Sequence, residues 1–168
     1  AEVFRQAGAK EVQVAHDTAE SDELWRARRS ISPSLGRVRP NKLGEDIVVP
    51  RSAIPSMVAR IKRISSKYEL PIVIFGHAGD GNLHPNILFD KRDAHESERV
   101  EGAVSELFEA AVELGGTLSG EHGVGMLKRP YLELALGPLA VEVMQGIKHA
   151  LDPKGILNPG KVLPPTAG

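Results

Sequence analysis

The sequence predicts an α+β domain with a ferredoxin-like antiparallel sheet, helices packed on one face of that sheet, and a C-terminal helical tail. Three observations predict this fold class. Strand and helix periodicities follow one another in the order β-α-β-α-β-β-α-loop-α. A glycine-rich turn at residues 76–81 joins two of the strands, which predicts an antiparallel hairpin. Glycines and prolines mark the ends of the elements, and no internal repeat interrupts their order.

The N-terminal part of the chain is predicted to alternate between helix and strand. The elements expected there are the end of a helix, a strand, a helix and a basic loop, at residues 2–7, 11–15, 18–33 and 36–42. The strand alternates polar and apolar side chains. Gly8 follows the first helix as its C-cap. Asp17 or Thr18 caps the second helix, and Pro33 and Gly36 end it.

The remaining elements are predicted to form most of the sheet and its helices. Strands are expected at residues 45–50, 71–75 and 82–89, and helices at residues 54–64, 94–114 and 139–151. Period-two alternation gives the third of these strands two faces. The core face should carry Leu83, Ile87 and Phe89, and the opposite face Asn82, His84 and Asn86. Pro85 lacks an N–H and is therefore expected at an edge or a bulge.

The composition excludes several classes of function. The 168 residues have a net charge of -1, which gives no general reason to bind nucleic acid or an anionic membrane. Without cysteine there is no disulfide, thiolate metal site or thiol nucleophile. No apolar run approaches the roughly 20 residues of a membrane span, and the first residues lack a signal peptide's order. A cytoplasmic location is expected.

The candidate chemistry lies in two glycine-rich segments, at residues 75–86 and 119–125. A hairpin can bring His77 and His84 to one side of the sheet, and Glu121 can add a carboxylate. Two imidazoles and a carboxylate suit a divalent transition metal with open positions. The adjacent His122 suits general acid–base work. Alternatively, the histidines are ordinary hydrogen-bonded residues of a turn and a strand.

Basic residues outside these segments are candidates for binding a carboxylate. Arg28 flanks the apolar stripe of the helix predicted after Asp17, and Lys42 lies in the basic loop. Either cation can hold a substrate carboxylate, and Arg can do so through two hydrogen bonds. A solvated surface charge is the alternative for both. Asp80 is expected to serve the turn in which it lies.

Three motifs in the correct order resemble the C-terminal half of FAD-linked oxidases of the vanillyl-alcohol-oxidase type. The nearest branch is that of the glycolate oxidase large subunit and the D-lactate and D-2-hydroxyglutarate dehydrogenases. The motifs are Gly76-His77-Ala78-Gly79-Asp80-Gly81-Asn82-Leu83-His84, Ser119-Gly120-Glu121-His122-Gly123-Val124-Gly125 and Asp152-Pro153-Lys154-Gly155-Ile156-Leu157-Asn158-Pro159-Gly160-Lys161.

The resemblance implies a role for each matching position. The metal ligands would be His77, His84 and Glu121, and the catalytic base would be His122. Substrate binding would fall to Arg28, Ser32, Lys42 and Asn86, and proximity to the flavin to Asn158 and Lys161. The implied cofactors are FAD and a zinc, manganese or iron ion. The implied reaction oxidises a D-2-hydroxy acid to the 2-oxo acid.

The resemblance also implies that residues 1–168 are the substrate- and metal-binding domain of a larger flavoenzyme. A chain that opens near the end of a helix, without an initiator Met, is expected to be part of a longer protein. No FAD-pyrophosphate loop is present in the sequence, so FAD should be held by an N-terminal domain and the chain alone should be inactive. A further electron-transfer subunit is an expected partner. The competing functions are a stand-alone metal-binding module and a metal-dependent hydrolase.

Overall fold

The computed structural model describes residues 1–164, which fall into two compact units. The first unit, Ala1–Arg39, contains helices α1 (Glu2–Gln6) and α2 (Thr18–Ser34). Asp17 caps α2 by accepting a hydrogen bond from the backbone N–H of Glu20 at 2.8 Å, as one of the two predicted caps.

Two expectations for the first unit were wrong. Residues 11–15 are irregular, because no described strand pairs with them and an unpaired strand leaves its backbone groups unsatisfied. Pro33 lies inside the last turn of α2 and does not end the helix. Its position four residues after Arg29 costs α2 one intrahelical hydrogen bond near an end, where such bonds are already being lost.

The second unit, from Pro40 onward, is built on an antiparallel sheet. Its strands are β1 (Asn41–Gly44), β2 (Ile47–Val48), β3 (Ile72–His77) and β4 (Asn82–Phe89). The central strand is β4, with β3 on one side and β1 and β2 in succession on the other. The predicted basic loop therefore ends early, because Asn41 and Lys42 pair with Phe89 and Leu88 as part of β1.

Pro85 explains why β1 and β2 are separate strands. Gly44 pairs with Asn86 and Ile47 with Leu83, so one register continues across the gap at Glu45. The Glu45 N–H donates to the Pro85 carbonyl at 2.9 Å, but proline has no N–H to return the bond. The predicted edge or bulge was wrong, since Pro85 occupies the central strand opposite this interruption.

Helices α3 (Ile54–Tyr68) and α4 (Ala94–Glu113) cover one face of the sheet. The core between them is apolar and buried, and it includes Ile47, Met57, Ile61, Leu83, Ile87, Leu107 and Phe108. Leu83 and Ile87 thus lie on the predicted face of β4, with Phe89 packed at its margin. The opposite face carries Asn82, His84 and Asn86, which are also buried.

The element order after Pro40 confirms the α+β, ferredoxin-like prediction. Beyond α4, Thr117 forms a single antiparallel bridge with Val48, at the edge where a fourth strand of that topology would pair. The C-terminal tail contains α5 (Leu132–Leu136) and α6 (Pro138–Leu151), which pack on each other. None of the helices in residues 1–164 has the length and hydropathy that crossing a bilayer requires.

Gly76→Ala is expected to destabilise the hairpin by about 1–3 kcal/mol, the usual cost of overpacking. A Cβ at Gly76 would lie 2.2 Å from the Asn82 carbonyl oxygen, which is backbone and cannot move aside alone. Gly79→Ala is the matched control, because a Cβ there meets no atom within 4 Å. Urea unfolding of both variants tests this expectation, and equal stabilities would contradict it.

Candidate metal centre and proton-transfer site

The β3–β4 hairpin brings two histidines together on the face of the sheet opposite to α3 and α4. Phe75 pairs with His84 and His77 with Asn82, so the side chains of these four residues share a face. The imidazoles of His77 and His84 meet edge to face, with ring centroids 5.5 Å apart. His84 is buried, whereas His77 at the strand end is exposed. The sequence prediction for this pair is confirmed in its geometry.

The loop that follows α4 adds a carboxylate to the two histidines. Glu121 Oε1 lies 3.1 Å from His84 Nε2 and 3.9 Å from His77 Nε2. One ligand atom from each of the three residues lies within 4.8 Å of the others. Ligand atoms about 2.1 Å from one ion are about 3–4 Å apart, so small side-chain movements suffice to bind a single cation.

His122 lies beside this cluster but contributes a separate imidazole. Its ring stacks on that of His84, with centroids 5.3 Å apart and planes 16° from parallel. Its Nε2 is 4.0 Å from Glu121 Oε1. About half of the His122 side chain is exposed, so a proton can reach it from a bound molecule or from solvent. The arrangement places an imidazole that can accept a proton next to three side chains that can bind a metal ion.

Asp46 organises this site and was missed in the sequence. It is fully buried, in the gap between β1 and β2. One carboxylate oxygen, Oδ2, accepts four hydrogen bonds: from the hydroxyl of Ser119 and from the backbone N–H groups of Gly120, Glu121 and His122. Burial by itself would raise the pKa of Asp46, but these donors lower it well below the usual value.

His84 shows that the cluster fits a metal ion. Its Nδ1 is buried without a hydrogen-bond partner and lies 3.9 Å from Asp46 Oδ1, which is equally unpartnered. A histidine that binds metal through Nε2 commonly directs its Nδ1–H at a carboxylate. The two unpartnered atoms have the positions that such a pair requires, and Nε2 then faces Glu121.

A buried lysine lies beneath the loop, and this too was missed in the sequence. Lys128 Nζ donates to the carbonyl oxygens of Asp46 at 2.8 Å and Leu118 at 2.7 Å, and it is 3.8 Å from Glu45 Oε2. Burial lowers the pKa of Lys128, and burial raises the pKa of Glu45, although each partly offsets the effect on the other. The lysine joins the strand interruption to the start of the loop.

Two of the predicted substrate-binding residues lie on the same face as the histidines. Lys42 pairs with Leu88 and Gly44 with Asn86, in the same alternation that places His84 on this face. Asn86 is buried, and its amide donates to the His84 carbonyl at 2.8 Å. Lys42 is exposed about two residue pairs beyond Asn86 along the strand, about 7 Å at the usual rise.

The other predicted substrate-binding residues, Arg28 and Ser32, lie in the first unit. They are four residues apart on α2, so they share one face of that helix. Both are exposed. Their assignment to the substrate stays a prediction.

A shallow cleft of about 400 Å³ opens beside the metal-ligand set. It is lined by Val48, His77, Asp80, Asn82, Gly120 and Glu121. Gly120 is required for this wall, because a Cβ there would lie 2.6 Å from the Asn82 amide nitrogen. Clefts of this size hold small ligands, so the metal-ligand set is accessible to a small molecule.

The tail places the two predicted flavin-side residues together. Asn158 has a left-handed backbone with φ of 47°, and its carbonyl accepts from the Lys161 N–H at 3.2 Å. The Lys161 ammonium contacts Met126 Sδ at 2.9 Å. Both residues are exposed, and their role towards a flavin stays a prediction.

Asp152 fixes the turn that precedes Asn158. Its carboxylate is paired with Lys148 and accepts from the backbone N–H groups of Ile156 at 3.1 Å and Leu157 at 2.9 Å. The hydrogen bond from Lys148 contributes most to lowering the pKa of Asp152, followed by that from Leu157. The carboxylate thus determines the course of the tail.

The tail is expected to loosen in acid. Because the pKa of Asp152 is lower in the folded chain, its stabilisation is complete above the ordinary value of about 4 and is lost as the pH falls through the lowered value. The protection factors of the Ile156 and Leu157 amides, measured by NMR as exchange rates relative to the intrinsic rate at each pH, should therefore fall in acid. The Asp152→Asn variant should show low protection factors at every pH. An identical acid dependence in the two proteins would contradict this expectation.

The fold and the site together define a class of α+β domain. Helices cover one face of its antiparallel sheet, and the other face presents two histidines and a carboxylate beside a third imidazole. Comparison with known families specifies this class further. Residues 1–162 match the model of the family described as "FAD linked oxidases, C-terminal domain". The chain belongs to this family, as its three motifs predicted.

Curated relatives agree with this assignment. The chain is 49% identical over 160 residues to the glycolate oxidase subunit GlcD of Bacillus subtilis (strain 168), covering 95% of this chain and 34% of the relative. It is 39% identical over 166 residues to a probable mitochondrial D-lactate dehydrogenase of Danio rerio, covering 96% and 33%. It is 40% identical over 145 residues to a D-2-hydroxyglutarate dehydrogenase of Stutzerimonas stutzeri (strain A1501), covering 83% and 30%. The chain spans about a third of the length of these relatives.

Proposed function

We propose that this chain is the substrate side of an FAD-dependent dehydrogenase that oxidises a D-2-hydroxy acid, such as glycolate or D-lactate, to the 2-oxo acid. The observation that carries the proposal is the Glu121 carboxylate between His77 and His84, with His122 adjoining. The names of the chain's relatives refer to glycolate, D-lactate and D-2-hydroxyglutarate. These names do not favour a metal-dependent hydrolase or a stand-alone metal-binding module.

The ligand set is proposed to hold one zinc, manganese or iron ion. The ion, when bound, would act as a Lewis acid that acidifies the 2-hydroxyl group of the substrate. His77, His84 and Glu121 supply two neutral nitrogen donors and one charged oxygen donor, which leaves coordination positions open for a substrate. His84 is buried beside the buried Asp46, which restricts the movement of this ligand set.

His122 is proposed to accept the proton of the 2-hydroxyl group. Imidazole suits this role because its ordinary pKa is close to neutral pH. Stacking on the buried His84 ring and the hydrogen bond from its own N–H to Asp46 hold His122 beside the ligand set. His122 thus takes the proton, and FAD, when bound, would supply the acceptor for the hydrogen and electron pair of Cα.

Basic and amide side chains are proposed to orient the substrate. Lys42 and Asn86 lie on the face of the sheet that carries His84 and can bind the carboxylate and a polar oxygen of the substrate. Arg28 and Ser32, which share one face of α2, are proposed as further substrate-binding residues. Fixing the carboxylate orients Cα and lowers the entropic cost of reaction.

A flavin-binding N-terminal domain is proposed as the main partner, with Asn158 and Lys161 on its side of the chain. The exposed face of α6 supports such a contact. Leu139, Val143, Ile147 and Leu151 follow one another at four-residue spacing, and each is more than half exposed. A contiguous exposed apolar surface of this kind is typical of an interface. A separate electron-transfer subunit and a cytoplasmic location complete the proposal.

The test is a dye-reduction assay on the chain joined to a flavin-binding N-terminal domain. Purified protein with stoichiometric flavin should reduce the dye with glycolate, D-lactate or D-2-hydroxyglutarate. The 168-residue chain alone is the control and should contain no flavin and reduce no dye. Flavin-loaded protein that reduces dye with none of the three acids would overturn the proposal.

A further inference from the structure

We propose that Asp46 is a positioning residue that couples metal binding at His84 to the placement of the base loop, residues 119–122. The inference rests on the proposed metal site and base. The two carboxylate oxygens of Asp46 contact different groups: Oδ2 accepts hydrogen bonds from the loop, and Oδ1 faces His84. One side chain therefore sets both the ligand and the base.

Asp46 holds the base loop through hydrogen bonds to its Oδ2 atom. Four donors from consecutive residues converge on Oδ2, at distances of 2.8–3.0 Å. The Ser119 hydroxyl also accepts from the Gly123 N–H at 2.8 Å, which closes the loop on itself. The backbone of Glu121 and of His122 is thereby fixed to a buried point outside the loop. Hydrogen bonds to a charged acceptor are about twice as strong as neutral ones.

The second carboxylate oxygen of Asp46 faces His84. Asp46 Oδ1 is buried and accepts no hydrogen bond, and the same is true of the facing atom, His84 Nδ1. Their separation of 3.9 Å becomes a hydrogen bond when the ring moves slightly towards the carboxylate. An acceptor at this place favours the tautomer with the proton on Nδ1, which leaves the Nε2 lone pair directed at the metal position.

Lys128 supports Asp46 itself. Lys128 Nζ donates to the Asp46 carbonyl oxygen and lies 3.8 Å from its Oδ2. The same ammonium donates to the carbonyl of Leu118, at the start of the loop. Side chain and backbone of Asp46 are therefore both held by groups that also hold the loop. Movement of the loop must move the carboxylate that faces His84.

Replacing Asp46 with asparagine leaves one side-chain oxygen, which cannot both accept from the loop and face His84. If the amide oxygen of Asp46→Asn keeps the loop, its NH₂ group faces His84 Nδ1 and makes that atom an acceptor. The proton of the neutral ring then moves to Nε2, where it blocks metal binding. If the amide turns over, the loop loses its acceptor. Either orientation weakens zinc binding: the first acts at His84 Nε2, and the second loosens the loop that carries Glu121.

The test compares Asp46→Asn with Asp22→Asn, an exposed carboxylate on α2, in the full 168-residue chain. Zinc affinity from a competition titration should fall about 10–100-fold for Asp46→Asn, the usual effect of losing a partner of a ligating histidine. In the metal-free protein, amide exchange at residues 120–122 should accelerate. The ¹⁵N shifts of His84 in the zinc-loaded wild type should show the proton on Nδ1.

Ser119→Ala covers the case in which Asp46→Asn fails to fold, because it removes one donor and leaves the charge in place. It should accelerate exchange at residues 120–123 and weaken zinc binding by a smaller factor. Faster exchange with unchanged zinc affinity would reduce Asp46 to a loop anchor and overturn the coupling. A wild-type chain that binds no zinc would overturn it too. Neither measurement needs flavin or turnover, so a failure of the proposed oxidation is detected separately.

Discussion

Replacing His122 with alanine is expected to lower kcat by about 10²–10⁴-fold, the usual contribution of a general base, while metal content stays unchanged. The reason is geometric. His122 stacks on His84 but is not part of the set whose ligand atoms lie within 4.8 Å of one another. Its loss removes the proposed proton acceptor and leaves the proposed ligands His77, His84 and Glu121 in place.

The measurement is steady-state dye reduction by the flavin-loaded protein, together with metal analysis of the same samples. His95→Ala is the matched control, since the His95 side chain is 90% exposed at the start of α4. This variant should keep full activity. Activity of His122→Ala close to that of the wild type would show that the base is another residue.

Replacing Glu121 with glutamine is expected to lower zinc affinity by more than about 100-fold, because a direct ligand contributes more than its outer partners do. Glutamine keeps the size of the side chain and removes the only carboxylate of the three-residue ligand set. The loop itself should stay intact, since it is the backbone N–H of Glu121 that binds Asp46.

Zinc competition on the 168-residue chain measures this change without flavin or substrate. Glu101→Gln, on the exposed side of α4, is the control of equal chemistry and should bind zinc as the wild type does. If Glu121→Gln and Glu101→Gln bind zinc equally well, the carboxylate is not a ligand and the site needs another assignment.

Local periodicity was sufficient to predict the central part of this fold. The alternation in residues 82–89 placed His84 on the polar face and Ile87 in the core, because Leu83 and Ile87 recur at a spacing that turns both towards the helices. Glycines on either side of His77 predicted the turn that brings it to His84. These features depend on residues close together in the chain.

Features that depend on distant pairing were not predictable in the same way. Lys42 belongs to an edge strand only because β4 offers it a partner more than forty residues later. Residues 11–15 have a strand pattern but find no such partner in the described structure. The alternation of side chains indicates which residues a strand would bury. It does not show whether another strand lies beside it to pair with its backbone.

Asp46 and Lys128 were missed for a related reason. Each is a charged residue, and the default expectation for a charge is a solvated surface. The available signal was Glu45-Asp46 at the start of an otherwise apolar run, where two carboxylates are costly unless donors surround them. Those donors come from residues 119–128, so only the folded chain reveals them.

X-ray absorption spectroscopy of the zinc-loaded chain tests the proposed metal site, because it reports the atoms bound to the ion. We expect two imidazole nitrogens at about 2.0–2.1 Å and a carboxylate oxygen at a similar distance. We also expect a reduced imidazole signal in His84→Ala. A shell of oxygen atoms alone, unchanged by His84→Ala, would contradict the assignment of His77, His84 and Glu121 as one metal site.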